Sequence, residues 1–341
     1  MNIVIVGGGF CGSYCARKLE KYFDVTLIDS NDYFEFTPGI PHVVCDVKHR
    51  DAIRVKHADY LKKAKVIVGN VTKINIHNVF IGNQKFFYDY LILSAGSAYK
   101  TPFKSEIISS ITRSQDLLDV HEHVEKAETI LVIGGGLVGT EMAAELLICM
   151  NKKVILIDQG DILIRRNPVK AKEYAEKFLI KHGCNIIFND AVVKFTKNDF
   201  VTKNGKILHA DFAFICTGII PNSKFDFKNI DIKFDAKRHL IADEYLRISN
   251  SIFAGGDVVS LNEERTAQNA RRHAEIICKN VVNSIKGKSL VKYVSKKTPM
   301  VISLGPYNGI FVSKSFVFSG IIPGLLKKII EKLVMFEYRK W

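Results

Sequence analysis

Ile3-Val4-Ile5-Val6-Gly7-Gly8-Gly9-Phe10-Cys11-Gly12 opens the chain, and Ile130-Leu131-Val132-Ile133-Gly134-Gly135-Gly136-Leu137-Val138-Gly139 repeats its pattern further on. Each stretch is a short apolar strand running into three glycines and then into a small-residue helical segment. Each is followed by a second apolar strand ending in an acid, Val25-Thr26-Leu27-Ile28-Asp29 and Val154-Ile155-Leu156-Ile157-Asp158. The acid falls about 20 residues past the first glycine, the spacing of the dinucleotide fingerprint. In that fingerprint the first glycine makes the tight turn and the second lets backbone approach a pyrophosphate. The third packs helix on strand, and the acid takes a ribose hydroxyl. A glycine turn alone is weak evidence and can be purely structural. Two complete copies imply two dinucleotides in one chain, and so electrons passed from one to the other.

Outward from the two loops, each half closes alike. Tyr88-Asp89-Tyr90-Leu91-Ile92-Leu93-Ser94-Ala95-Gly96-Ser97 ends the first, and Phe212-Ala213-Phe214-Ile215-Cys216-Thr217-Gly218 the second. Small residues at a strand's carboxyl end let a ligand approach the sheet edge. A third pattern, Ser251-Ile252-Phe253-Ala254-Gly255-Gly256-Asp257-Val258, is a strand entering a Gly-Gly-Asp turn, followed by a helix from about Thr266 to Ile285. The expected fold is α/β, with two dinucleotide-binding (Rossmann-like) domains, the second inserted in the first, and a small C-terminal β/α segment. The boundaries fall at 1–102 with 223–289, at 103–222, and at 290–341.

The 341 residues, 47% hydrophobic, suffice for two cores. The net charge of +14 suits an anionic membrane, anionic substrates or nucleic acid. The basic residues are scattered and no nucleic-acid motif is present, which ranks nucleic acid last; a lysine-rich surface without a partner also fits. The seven cysteines are odd in number and form no Cys-x-x-Cys, which suits reduced thiols in a cytosol-like compartment. No metal-ligand spacing is apparent. The chain enters its first strand at residue 3, which leaves no room for a signal peptide. No stretch of 18 apolar residues exists, so no membrane span and no proton pump is expected.

Placed together, both loops, both closing strands and the Gly-Gly-Asp turn resemble the two-dinucleotide flavoprotein reductases over nearly the whole chain. Three details are similar to type II NADH dehydrogenases and the apoptosis-inducing-factor-like quinone reductases. These are Tyr33-Phe34-Glu35-Phe36-Thr37-Pro38 after the first loop, Gly139-Thr140-Glu141 in the second, and Arg265-Thr266-Ala267-Gln268-Asn269-Ala270. Where those enzymes usually carry a second glutamine, this chain has Arg271-Arg272-His273. The paired cysteines of the disulfide reductases, separated by four residues, are absent, and Cys45, Cys149 and Cys216 do not match the widely spaced cysteines of sulfide:quinone oxidoreductases.

The resemblance implies FAD held by Gly7, Gly9, Phe10, Cys11, Gly12, Asp29, Val71, Ser94, Ala95, Gly96, Asp257 and Ala267. It implies NADH held by Gly134, Gly136, Leu137, Val138, Gly139, Glu141, Asp158, Thr217 and Gly218. The charge on Asp158 disfavours a 2′-phosphate and so favours NADH, although Arg165 and Arg166 stand nearby to accept one. For catalysis it points to Glu141 near the nicotinamide and flavin rings, Gln268 at a quinone carbonyl, and His273 as a proton source for the reduced quinone. Each has a bland counterpart: a glutamate complementing a helix dipole, a glutamine bonding local backbone, a structural histidine. The low-pKa potential of Cys11 at a helix N-terminus competes with simple loop filling.

The implied activity is hydride transfer from NADH to FAD, then two electrons to a membrane quinone, without proton pumping. A soluble reductase of a ferredoxin, rubredoxin or oxygen is an alternative, and so is a redox-responsive binding protein. Residues 321–341 read as an amphipathic helix starting near Pro323, with Leu326, Ile329, Ile330, Leu333, Val334 and Phe336 on one face. Lys327, Lys328, Lys332, Arg339 and Lys340 outnumber Glu331 and Glu337, and Trp341 suits an interface. The segment is expected to lie on an anionic membrane surface at the cytoplasmic face of the cell membrane. Packing on the protein body or against a second copy in a homodimer shows the same period.

Overall fold

The computed structural model describes residues 1–99, 106–110, 117–314 and 316–340. The boundary expected between 102 and 103, and Trp341, lie outside the described residues. Six strands form the first sheet, in the order Arg247–Ser249, Ile252–Ala254, Tyr90–Leu93, Asn2–Val6, Asp24–Asp29 and Lys65–Val68. All its pairings are parallel except the Arg247–Ser249 edge. Parallel strands covered on both faces need apolar runs rather than alternation. Ile3, Val4 and Ile5 are accordingly buried, as are Leu91, Ile92 and Leu93.

The second sheet repeats the plan with Ile108–Ser110, Phe212–Ile215, Thr129–Ile133, Lys153–Ile157 and Asn185–Ile187, all parallel. Val6 pairs with Ile28 on one side and Leu93 on the other, and Ile133 pairs with Ile157 and Ile215 in the same way. Each loop therefore leaves the central strand between the strand that ends at its acid and the closing strand. After the second sheet the chain returns to the first half: Asp226–Lys228 joins Lys73–Asn75 in a separate four-stranded sheet, and Ile252–Ala254 joins Tyr90–Leu93 in the first sheet. Where it leaves and returns, Ser97–Tyr99 and Ile219–Pro221 pair as an antiparallel ribbon.

The C-terminal segment is a three-stranded antiparallel sheet, Met300–Ser303, Gly309–Ser313 and Phe316–Gly320, followed by the helix Ile321–Arg339. Pro323 is the third helical residue rather than the first. This helix docks on the body through Pro323, Gly324, Met335 and Tyr338, which are buried. The Tyr338 ring stacks on Phe34 with centroids 3.9 Å apart, and its hydroxyl lies 2.7 Å from Ser13 Oγ. Glu337 pairs with Arg17 and, at 2.6 Å, with Arg271; burial raises its carboxyl, but the two guanidiniums outweigh this and hold it below the usual range.

The apolar face expected of this helix is rearranged. Val334 and Leu326 are half-buried, whereas Ile321, Ile322, Leu325, Ile329, Ile330, Leu333 and Phe336 are exposed, Leu333 by 62% and Phe336 by 57%. Three of the seven charges counted along it, Lys327, Glu331 and Glu337, turn inward to pair with Glu141, His49, and Arg17 with Arg271. The four left, Lys328, Lys332, Arg339 and Lys340, are all basic. The helix thus docks by ion pairs as well as packing, and presents apolar residues outward beside exposed Phe316 and Phe318.

Candidate functional site

Each glycine loop shows why its positions must be glycine. A Cβ on Gly7, whose φ is +97°, would lie 2.3 Å from the Ser94 carbonyl oxygen, and one on Gly12 would lie 1.8 Å from the Gly7 carbonyl oxygen. The second loop repeats this: a Cβ on Gly134 (φ +111°) would meet the Cys216 carbonyl oxygen at 2.6 Å, and one on Gly139 the Gly134 carbonyl oxygen at 1.8 Å. Gly9 and Gly136 differ, because a Cβ there would meet nothing within 4 Å. These two middle glycines are the N-caps of the helices Phe10–Leu19 and Leu137–Cys149, and no side chain caps either helix. Open space in front of uncapped amides is an anion site: the N–H groups lack partners and the helix dipole favours negative charge. A pyrophosphate fits both loops.

The acids latch the loops. Asp29, buried, accepts a short hydrogen bond from Gly8 N–H and one from Asn31 N–H at 2.7 Å. Asp158 accepts from Gly135 N–H at 2.6 Å and from Gly160 N–H at 2.7 Å. Each carboxylate thus stands beside the phosphate loop, where a dinucleotide's ribose would lie. Arg165 is tied to Asp161 at 3.0 Å and is well exposed. Ser94 Oγ donates to the Val6 and Gly7 carbonyls at 3.1 and 2.9 Å, so its side chain braces the first loop. Cys11 is buried, and Phe10 packs edge-on to Phe34 with centroids 5.1 Å apart. Leu137 and Val138 are partly buried at the second loop's helix start. Val71 is partly buried against the first domain's core.

The closing-strand residues of the two halves meet. Asn222 Nδ2 donates to the Ala95 carbonyl at 2.9 Å, and Asn222 N–H donates to the Gly96 carbonyl at 3.0 Å. This brings the chain just past Thr217 and Gly218 alongside Ala95 and Gly96, at the ribbon. Asp257 sits in the turn Gly256–Val258, where Gly256 takes φ +77°, and accepts from Ser97 Oγ at 2.8 Å. Tyr99, on the same ribbon, has its hydroxyl pKa raised first by burial and then by Cys216, Asp257 and Glu141. Asp257, expected to hold FAD, thus bonds through Ser97 to the ribbon that carries Tyr99.

Glu141 is buried, and its Oε1 accepts from Ser303 N–H at 2.9 Å, Ser303 Oγ at 3.2 Å and Lys327 Nζ at 2.9 Å. It joins the second loop's helix to the C-terminal segment. Lys327 and Ser303 carried no sequence signal; Lys327 reads there as one of several surface charges. Ala267 is the first residue of the helix Ala267–Ile285, whose N-cap Thr266 accepts from Asn269 N–H, and Gln268 beside it is exposed.

His273 is engaged at both ring nitrogens. Nδ1 accepts from Gly256 N–H at 3.0 Å, and Nε2 lies 2.7 Å from Glu263 Oε1. Burial raises the Glu263 carboxyl, but hydrogen bonds from His273, Ser295 and Tyr293 outweigh this and hold it below the usual range. With Nδ1 used as acceptor, the ring proton sits on Nε2 and is held by Glu263. This geometry makes His273 a support of the Gly256–Asp257 turn.

Residues 1–274 match the family model described as pyridine nucleotide-disulphide oxidoreductase. Apoptosis-inducing factor homolog A of Dictyostelium discoideum is 25% identical over 360 residues, covering 96% of this chain and 88% of that protein. Ferroptosis suppressor protein 1 of Homo sapiens is 24% identical over 345 residues, covering 96% of this chain and 92% of that one. Among solved structures, the sulfide:quinone oxidoreductase of Aquifex aeolicus superposes with TM-score 0.85 at 20% identity, over 99% of this chain and 91% of the other. NDH2 of Plasmodium falciparum in complex with NADH gives TM-score 0.81 at 16% identity, over 100% and 98%. At such identities these structures establish the shared fold.

Proposed function

The chain belongs to the pyridine nucleotide-disulphide oxidoreductase family, and on that premise we propose that it is an FAD-dependent NADH:quinone oxidoreductase working at a membrane surface. The observation that carries the reading is the duplicated loop: two uncapped helix N-termini, one per parallel sheet, each with its acid latched alongside. Residues 1–102 with 223–289 would hold FAD at Gly7, Gly9, Gly12, Asp29 and Asp257. Residues 103–222 would hold NADH at Gly134, Gly136, Gly139 and Asp158. Bound FAD would supply the hydride acceptor and pass electrons onward in pairs.

The protein's part is position, electrostatics and exclusion of water. The two loops would fix both pyrophosphates, and the ribbon at Ser97–Tyr99 and Ile219–Pro221 joins one domain to the other. Glu141, held by Ser303 and Lys327, stands on the second loop's helix, where it would face the nicotinamide side of the site. Gln268 offers an exposed amide to a quinone carbonyl. The outward apolar face of Ile321–Arg339, rimmed by Lys328, Lys332 and Lys340, would rest on an anionic membrane and bring a lipid-soluble quinone to the site. Among the described residues no helix is long and apolar enough to cross a membrane.

The test is an absorption spectrum of the purified protein, followed by anaerobic titration with NADH and then a water-soluble quinone. Bound flavin, bleaching by NADH and recovery with quinone are expected. A colourless protein that takes up no FAD on reconstitution overturns the cofactor assignment. Bleaching without recovery points to a different acceptor.

A further inference from the structure

Sequence spacing alone shows no metal site, but helix packing builds a constellation with that character. His42 and Cys45 are three residues apart on the helix Ile40–Cys45, and Glu145 and Cys149 four apart on the helix Leu137–Cys149. Such spacings put each pair on one helix face. Where the two helices meet, His42 Nδ1 lies 2.9 Å from Glu145 Oε2, and Cys149 Sγ lies 3.1 Å from the same oxygen. The three donor atoms all lie within 4.8 Å of one another.

We propose that His42, Glu145 and Cys149 bind one zinc-class divalent cation, with Cys45 beside the fourth position, clamping the first domain to the second. The donor set is one imidazole nitrogen, one carboxylate oxygen and one or two thiolates, which selects zinc-like ions over magnesium or calcium. Zinc bonds of about 2.0–2.3 Å arranged tetrahedrally put donors roughly 3.3–3.8 Å apart. The separations of 2.9 and 3.1 Å, with none beyond 4.8 Å, bracket that range. The Glu145 side chain is only 4% exposed, and its bonds with His42 and Cys149 hold the carboxylate at the centre of the donor group. Cys149 is exposed, which gives the ion a way in. Cys45 shares the helix face of His42. Behind His42 stands His49, ring centroids 4.8 Å apart, itself paired with Glu331 at 3.1 Å.

Binding releases to solvent the Cys149 thiol proton and the His42 Nδ1 proton that faces Glu145, and replaces the hydrogen bonds to Glu145 with metal bonds, with no change of oxidation state. The clamp's place gives it a consequence. The Ile40–Cys45 helix directly follows Phe36-Thr37-Pro38, and Glu145 is one turn beyond Glu141 on the second loop's helix. The ion would fix the angle between the two loops without touching either dinucleotide.

The experiment uses the full-length protein, kept reduced, and equilibrated with zinc in the presence of excess magnesium. Elemental analysis should find one zinc per chain. His42→Ala and Cys149→Ser should each weaken zinc binding by more than about 100-fold, beyond the loss of an outer-shell partner, while Cys278→Ser leaves it unchanged. Because a variant can misfold, the unmodified protein supplies a second measurement. Zinc should slow iodoacetamide alkylation of Cys149 at least about tenfold, since a metal-bound thiolate is withdrawn from reaction, and leave Cys278 unaffected. Zinc affinity that survives both substitutions, or alkylation of Cys149 undiminished at saturating zinc, overturns the site.

Discussion

Lys327 Nζ lies 2.9 Å from Glu141 Oε1, so a lysine of the last helix neutralises a glutamate of the second loop's helix across 186 residues of chain. Their side chains are 16% and 10% exposed. A charge this shielded is costly once its partner is removed, whereas losing both charges together can be nearly neutral. Lys327→Met should therefore destabilise the protein by about 3 kcal/mol, and the Lys327→Met/Glu141→Gln double variant should recover most of that loss. Urea unfolding of the four proteins in the cycle gives the answer. Additive effects would mean that the pair is not coupled.

The contrast between this pair and the glycine loops shows what a sequence can reveal. Gly7, Gly12, Gly134 and Gly139 answer to a turn or a close approach, and both requirements arise within a few residues of strand and helix. The parallel strands were legible too, because burial on both faces leaves apolar runs such as Ile3 to Val6. The C-terminal helix was harder: its period announces a helix but not which face meets the body. Lys327, Glu331 and Glu337 count as solvated charges until Glu141, His49, Arg17 and Arg271 arrive from distant chain positions. The bonds that His273 makes were hidden for a similar reason, because its partners Gly256 and Glu263 belong to a turn and a loop. The His42–Glu145–Cys149 group exists only where two helices cross.

The two loops should be separable by mutation. A methyl group at Gly12 or Gly139 runs into the carbonyl oxygen of its own loop at 1.8 Å, and overpacking of this kind costs about 1–3 kcal/mol or more. Gly12→Ala should lose flavin during gel filtration. Gly139→Ala should keep it, yet be bleached by NADH at least roughly tenfold more slowly, a change of about 1.4 kcal/mol. Loss of flavin in Gly139→Ala would reassign the second loop.

Asp158 should set the choice of nicotinamide cofactor. Its carboxylate is fixed by Gly135 and Gly160 N–H groups, so a 2′-phosphate would approach a held negative charge. NADH should bleach the flavin much faster than NADPH, and Asp158→Ala should narrow the ratio by about tenfold or more. Stopped-flow rates with both cofactors test this. Equal rates in the unmodified protein would remove Asp158 from that role.

Gln268 is exposed at the first turn of the Ala267–Ile285 helix, close in sequence to the Asp257 turn. Gln268→Ala should slow reoxidation of the flavin by quinone while leaving its reduction by NADH nearly intact. The opposite pattern in stopped-flow traces would take Gln268 away from the acceptor side.

Membrane attachment can be tested without removing the last helix, and the structure dictates that choice. Cutting the chain before Ile321 would expose the surfaces now covered by Met335 and Tyr338 and strand Arg17 and Glu141, so lost binding would be indistinguishable from misfolding. Ile329, Leu333 and Phe336 are over half exposed and lie on the outward face. Replacing exposed residues costs little stability, but burying three carboxylates in a headgroup layer is strongly unfavourable. The triple variant Ile329→Glu/Leu333→Glu/Phe336→Glu should keep the unmodified melting temperature to within a few degrees and retain NADH oxidation with a soluble quinone. It should lose flotation with anionic liposomes, and turnover of a long-chain quinone held in those liposomes should fall with it. Flotation of the unmodified protein should weaken with salt, because Lys328, Lys332 and Lys340 supply the electrostatic part. If neither protein floats at low salt and the unmodified chain sediments as a dimer that the variant dissolves, the apolar face is covered by a second copy and the membrane assignment fails.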